Sequence, residues 1–205
     1  MTVRDDVLAD LDPVPYSQAR KLVQDGDLLL CSAHDPMSMT IRWATHSPWS
    51  HIAIAYRIDA LDRVMVLEAV TRVGVRTVPL STFISRTSSG IHPYPGRIVL
   101  ARHRAFLTDD PAAVKTMFDF AFDRLGASFA VIEMLKIALR VSLGRFDLKL
   151  PRSVEPRNEY ICSEYVARCF GKIGLKIPWD GLGFIGPADF AADPAVKAVA
   201  QIQTC

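Results

Sequence analysis

No charge of one sign dominates this sequence. Its 24 Lys and Arg stand against 22 Asp and Glu, a formal net charge of +2 over 205 residues. Without a basic excess there is no field to neutralise phosphates, so nucleic acid is not the expected partner. Long uninterrupted apolar runs are also missing. The most apolar stretch, 127–143, carries Glu133, Lys136 and Arg140, whereas a bilayer span needs about 20 mostly apolar residues. It reads as a helix, and no transmembrane segment is expected. The first eleven residues hold Asp5, Asp6 and Asp10 and lack the basic and apolar regions of a secretory signal, which makes a cytoplasmic protein the expectation. The four cysteines, Cys31, Cys162, Cys169 and Cys205, form no CxxC pair, and in a reducing compartment they stay thiols. No repeat, low-complexity tract or Gly/Ser linker divides the chain, so one domain over 1–205 is expected.

What is present alternates between strand and helix signals. Pro15 to Val23 reads as a short helix ended by Asp25-Gly26-Asp27, and Leu28 to Cys31 as a buried strand. Asp35-Pro36 is an N-cap and first-turn pair for a helix to Thr45, stopped at Ser47-Pro48. His51–Ile58 and Arg63–Val70 form a hairpin, Val73–Leu80 a third β run, and Arg97–His103 another strand after a Ser, Gly and Pro-rich loop. That makes about five strands. Asp110-Pro111 opens a helix to Leu125 with Val114, Met117, Phe118 and Ala121 at helical spacing. A last strong helix runs from Cys162 to Ile173, and a weaker one follows Pro187.

Two of these elements carry chemistry. Cys162 opens the last helix on a stripe continued by Val166, Cys169 and Ile173, with Glu164 and Arg168 turned to water. Free N–H groups and the dipole at a helix start favour thiolate and can lower a cysteine pKa from about 8.5 to roughly 3.5 to 7.5. A free cysteine is otherwise a small apolar core residue, which is how Cys169 reads, and Cys31 and Cys205 have no better case for reactivity.

A thiol nucleophile needs a base, and the base an orienting group. With Ala60 and Leu61 central in the turn, Tyr56 opposes Met65 and Ala53 opposes Glu68, so His51, Ala53, Glu68 and Val70 share one face. Glu68 is then the diagonal neighbour of His51. A one-residue slip would turn it away. Ala53 and Ala55 are expected to leave room for the approach of the Cys162 helix. Glu68 lies in an otherwise apolar strand, which is costly unless the carboxylate is paired; an ion pair with Arg72 or Arg76 is the plain structural alternative. A metal set of Cys31, His34, His46 and His51 matches no strong zinc spacing, so no metal is expected.

The runs Gly26-Asp27-Leu28-Leu29-Leu30, Ser50-His51-Ile52-Ala53-Ile54, Leu67-Glu68-Ala69 and Tyr160-Ile161-Cys162-Ser163-Glu164-Tyr165-Val166, with Pro187-Ala188-Asp189-Phe190, occur in this order. The sequence thereby resembles the circularly permuted papain-like amidases of the YaeF/YiiX group, relatives of the NlpC-type peptidases, in which the histidine strand precedes the cysteine helix. The resemblance covers about residues 25–190. It implies an α+β papain-like fold, an antiparallel sheet or half-barrel with the cysteine helix packed against it. By the same resemblance Cys162 is the nucleophile, His51 the general base, Glu68 the orienting group, and Tyr160 and Ser163 are pocket residues, with no cofactor. The expected activity is cleavage of an amide or ester in a peptidyl, acyl or small-molecule substrate through a thioester. The alternatives are a non-catalytic binding module on the same fold, and a lipid acyltransferase or acylhydrolase. The last is suggested by the apolar and basic insertion at about 127–157, a segment also suited to peripheral membrane contact. The oligomeric state is left open.

Overall fold

The computed structural model describes residues 11–71, 73–85, 92–106, 110–129, 159–179 and 185–204. In chain order these form β1 (Pro13–Val14), α1 (Tyr16–Leu22), β2 (Leu28–Ala33), α2 (Pro36–Thr45), β3 (His51–Ile58), β4 (Arg63–Val70), β5 (Gly74–Pro79), α3 (Leu80–Ser85), β6 (Gly96–His103), α4 (Pro111–Phe122), β7 (Ser128–Phe129), β8 (Glu159–Tyr160), α5 (Cys162–Gly171), α6 (Pro187–Ala192) and β9 (Val196–Ile202). The insertion expected at 127–157 lies outside the described residues from 130 onward.

The main sheet has seven strands in the order β1-β9-β6-β2-β3-β4-β5, antiparallel except for the β1–β9 pair. The five strands expected from sequence are its β2 to β6. Two more were not expected: β9, which pairs with β6, and β1, which pairs with β9. The sequence of β9, Val-Lys-Ala-Val-Ala-Gln-Ile, has no strict alternation, and it becomes a strand because the edge of β6 is there to pair with it. A separate two-stranded parallel ribbon joins β7 and β8.

Both faces of the sheet are covered, which is why its central strands read as nearly continuous apolar runs. On one face Leu28, Leu30, Ile52, Ile54, Leu67 and Ala69 pack with Met117 and Phe118 of α4 and Tyr165, Val166, Cys169 and Phe170 of α5. On the other face Leu29, Cys31, Ala53, Ala55 and Val66 pack with Ala19 of α1 and Leu80, Phe83 and Ile84 of α3. The cysteine helix therefore meets the Ile52/Ile54 face, not the Ala53/Ala55 face expected above. Its own stripe of Cys162, Val166 and Cys169 is buried as the spacing predicts, and its outer residues Arg168 and Glu164 bond each other at 2.6 Å.

Local signals fix the termini. Asp35 Oδ1 accepts from the N–H groups of Met37 and Ser38 at 3.1 Å, and Asp110 Oδ1 accepts from Ala112 and Ala113 at 3.0 and 3.2 Å. Helix α4 ends at Phe122, before the predicted Leu125, and α5 at Gly171, before Ile173, each passing into a turn that reaches a left-handed glycine, Gly126 or Gly174. Gly74 starts β5 at φ +84°, and a side chain there would collide with the carbonyl of Ala127.

Candidate active site

The hairpin register is the predicted one as far as the ladder runs: Tyr56 opposes Met65, Ile54 opposes Leu67 and Ile58 opposes Arg63, but the expected Ala53–Glu68 pair does not form. The connection is a short 3-10 turn, Asp59–Leu61, with Asp62 left-handed at φ 47°. The β3–β4 ladder ends at the Ile54/Leu67 pair. Beyond it, β3 stays with β2 through the Cys31–His51 pair, and β4 stays with β5 through the Glu68–Arg76 pair. The two central strands thus fork, and α5 contacts both of them.

Cys162 sits at this fork as the first residue of α5. Its thiol hydrogen-bonds the ring of His51 and the backbone N–H groups of Ile52 and Ser163. Alternation explains why Ile52 is available. The N–H of Ala55 bonds the Asp27 carbonyl on the β2 side, so N–H groups an odd number of residues away, Ile52 among them, face the side that β4 has left.

His51 Nε2 lies 2.7 Å from Glu68 Oε2. With that nitrogen taken, Nδ1 is the one left for the thiol. The other oxygen, Glu68 Oε1, accepts from Arg76 Nε at 2.9 Å. Glu68 is 2 % exposed and Cys162 5 %, while the side chain of His51 keeps 17 %. Of the three side chains, the imidazole is the most open to solvent.

Burial by itself would hold all three groups neutral, and here the neighbours outweigh it. Burial pushes the Cys162 thiol up, but the charge and hydrogen bond of His51 and the two backbone N–H donors bring it below the ordinary thiol range. Burial also opposes a charged His51, yet the Cys162 sulfur and the Glu68 carboxylate together raise its affinity for the proton. Glu68, also desolvated, is held below the usual carboxylate range by His51 and Arg76. The favoured state is a thiolate beside an imidazolium beside a carboxylate. Helix geometry adds a donor: the N–H of Cys162 has no intrahelical partner, and the N-cap Ile161 contributes no capping side chain.

The other residues singled out from sequence lie as follows. Ser163 is 1 % exposed; its hydroxyl has no hydrogen-bond partner among the described residues, and its bond to the sulfur comes from its backbone N–H. Tyr160 pairs with Phe129 between β8 and β7, and its side chain lies outside the described residues. Cys169 is buried on α5, and burial pushes its thiol up to about 12. Cys31 lies opposite His51 on β2, with its thiol bonded to the Leu29 carbonyl at 3.6 Å and driven well above the ordinary range by burial. Cys205 falls outside the described residues. Two participants went unrecognised in sequence. One is the Ile52 N–H, which no side-chain pattern could reveal. The other is Arg76 as part of the centre, which the cross-strand register of β4 and β5 would have placed opposite Glu68.

Comparison with known proteins agrees with this architecture. Residues 22–134 match the family described as permuted papain-like amidase enzyme, YaeF/YiiX, C92 family. The matched stretch contains His51 and Glu68 and ends before Cys162. No curated protein matches the sequence. Among solved structures, the crystal structure titled metalloprotein yiiX from Escherichia coli O157:H7 superposes with a TM-score of 0.59 at 17% identity, covering 87% of this chain and 97% of that one. At that identity the likeness is one of fold. Among the described residues no helix is long and apolar enough to cross a membrane.

Proposed function

The chain belongs to the permuted papain-like amidase family, and on that premise we propose that it is a cysteine hydrolase in which Cys162 is the nucleophile, His51 the acid and base, and Glu68 the group that orients the ring. The observation that carries this reading is the hydrogen-bonded row Cys162–His51–Glu68, assembled from three separate elements with a single partly open edge.

The chemistry follows from the row. The Cys162 thiolate attacks the carbonyl carbon of an amide or ester held at the open edge of His51, and the carbonyl oxygen becomes an oxyanion. The N–H of Cys162, at the positive end of α5, donates to that oxyanion; one such donor is typically worth about 10²- to 10³-fold in rate. The His51 imidazolium then gives its proton to the leaving amine or alcohol as the carbon–heteroatom bond breaks, which leaves a thioester on Cys162. Water, deprotonated by His51, attacks the thioester and releases the acid, and the proton returns to the Cys162–His51 pair. Glu68 keeps its charge throughout and stabilises the imidazolium, as carboxylates do in such triads.

The yiiX structure is titled as that of a metalloprotein. The residues here do not suit a resident divalent cation at this centre, because Glu68 is shared between His51 and the Arg76 guanidinium, and a fixed cation on the same carboxylate opposes a second.

The test is a turnover screen of the purified protein against aminoacyl amides, peptides and acyl esters, with Cys162→Ser and His51→Ala beside the wild type. Turnover lost in both variants, with melting temperature kept, supports the reading. Turnover that survives Cys162→Ser overturns it. A wild type that binds such compounds and turns over none would make the fold a binding module.

A further inference from the structure

Glu68 uses its two oxygens differently. Oε2 faces His51 Nε2 at 2.7 Å, while Oε1 takes Arg76 Nε at 2.9 Å and Nη2 at 2.7 Å. The β4–β5 register prepares this, since Glu68 and Arg76 stand directly opposite and opposed residues share a face. The carboxylate is 2 % exposed, whereas the Arg76 side chain keeps 42 %, so the guanidinium reaches the buried acid from the solvent side. Two N–H groups converging on one oxygen hold Oε1 in place more closely than a single ammonium would.

The charge count gives the second half of the argument. Thiolate, imidazolium and carboxylate sum to one negative charge in a nearly dry site, and Arg76 brings the row to neutrality. Among the described residues, the other ionisable groups that interact with it are Cys31 from β2 and Tyr94 from the segment before β6, with Asp35 beyond Tyr94 at the start of α2. Burial pushes the Cys31 thiol and the Tyr94 phenol upward, so both remain neutral at working pH. Asp35, bonded by the N–H groups of Ser38 and Met37, stays ionised. None of these three supplies a positive charge to the row.

We propose that Arg76 is a positioning residue of the catalytic centre, acting through Glu68: its guanidinium fixes the carboxylate so that the free oxygen meets His51, and its charge balances the buried row. The proposal rests on the catalytic reading above. Its signature is a matter of sign. Taking away a cation raises the proton affinity of every group near it, so both ionisations of the Cys162–His51 pair move to higher pH. A residue that merely props the sheet would lower rates without moving both in that direction.

The experiment follows the rate at which iodoacetamide alkylates Cys162, read by mass spectrometry from acid to alkaline pH on the full chain. Arg76→Met is expected to raise both apparent ionisations by roughly half a unit to one unit, the size of a partly screened charge at this range. Arg76→Lys keeps the charge and restores both ionisations to wild-type values, while turnover falls severalfold because the two-nitrogen grip is lost. Adding Arg76→Met to Glu68→Gln moves the ionisations by a similar amount, since the guanidinium charge acts on the row directly, but costs little further turnover, since the carboxylate that Arg76 holds is already gone. If Arg76→Met does not fold, Arg76→Gln removes the charge while keeping a donor for Oε1, with the same upward shift expected. Ionisations that stay put or fall in the neutral variant, or a further loss of turnover in the Glu68→Gln background as large as that in the wild type, overturn the role of Arg76 and leave the catalytic reading standing. A wild-type Cys162 that is alkylated no faster than Cys31, Cys169 or Cys205 overturns both.

Discussion

His51 and Glu68 are joined at 2.7 Å through Nε2 and Oε2, although the ladder between their strands has already ended at Ile54 and Leu67. The side-chain bond spans the mouth of the fork that the backbones leave open. Because β3 and β4 separate there, the Ile52 N–H is freed for the sulfur of Cys162, and an unpaired stretch of sheet becomes part of the centre.

Alkylation of Cys162 is expected to continue below the pH at which an ordinary thiol, with its pKa of about 8.5, becomes unreactive. The sign follows from the pair: the imidazolium of His51 favours the thiolate. His51→Ala removes that cation, so the acid limb of the rate profile moves to higher pH. An unchanged limb would show that His51 does not set the thiol.

Glu68→Gln removes the anion that favours the His51 imidazolium. The alkaline limb of turnover then moves to lower pH, and the rate falls by roughly 10²- to 10⁴-fold, as in triads whose carboxylate is replaced by an amide. A pH-rate profile checks both, and a variant with wild-type rate and limbs would remove Glu68 from the mechanism.

Stability has its own pH signature. The carboxyl of Glu68 is held below its ordinary range in the folded chain, so its contribution is complete above the unfolded value of about 4.3 and is lost as pH falls through the lower folded value. Melting temperature should therefore drop on acidification from that point, and part of the drop should vanish in Glu68→Gln. Thermal denaturation at a series of acid pH values measures it.

Gly74→Ala should destabilise the protein by about 1–3 kcal/mol, because the site combines φ +84° with the Ala127 carbonyl lying where a Cβ would go. Denaturant unfolding measures the loss. A change of a few tenths of a kcal/mol would mean that β5 and the turn after α4 shift apart easily.

Much of this was legible along the chain. The period of two in His51–Ile58 and Arg63–Val70 and the turn residues between them set a register that puts Glu68 on the face of His51. The capping pairs Asp35-Pro36 and Asp110-Pro111 marked two helix starts, and the spacing of Cys162, Val166 and Cys169 gave the buried side of α5. These are short-range signals, decided by geometry within one or two elements. The length of the sheet was not legible, because β9 depends on an edge offered by β6, nearly a hundred residues earlier.

By itself, then, the sequence determined which residues could share a face and which thiol opens a helix, since alternation, helical spacing and capping act over a few residues. Only the tertiary structure decided that α5 packs on the Ile52/Ile54 face and that its first turn enters between two diverging strands. Those outcomes depend on burying both faces of one sheet at once, and on bringing the desolvated Cys162 thiol to charged groups from a distant part of the chain.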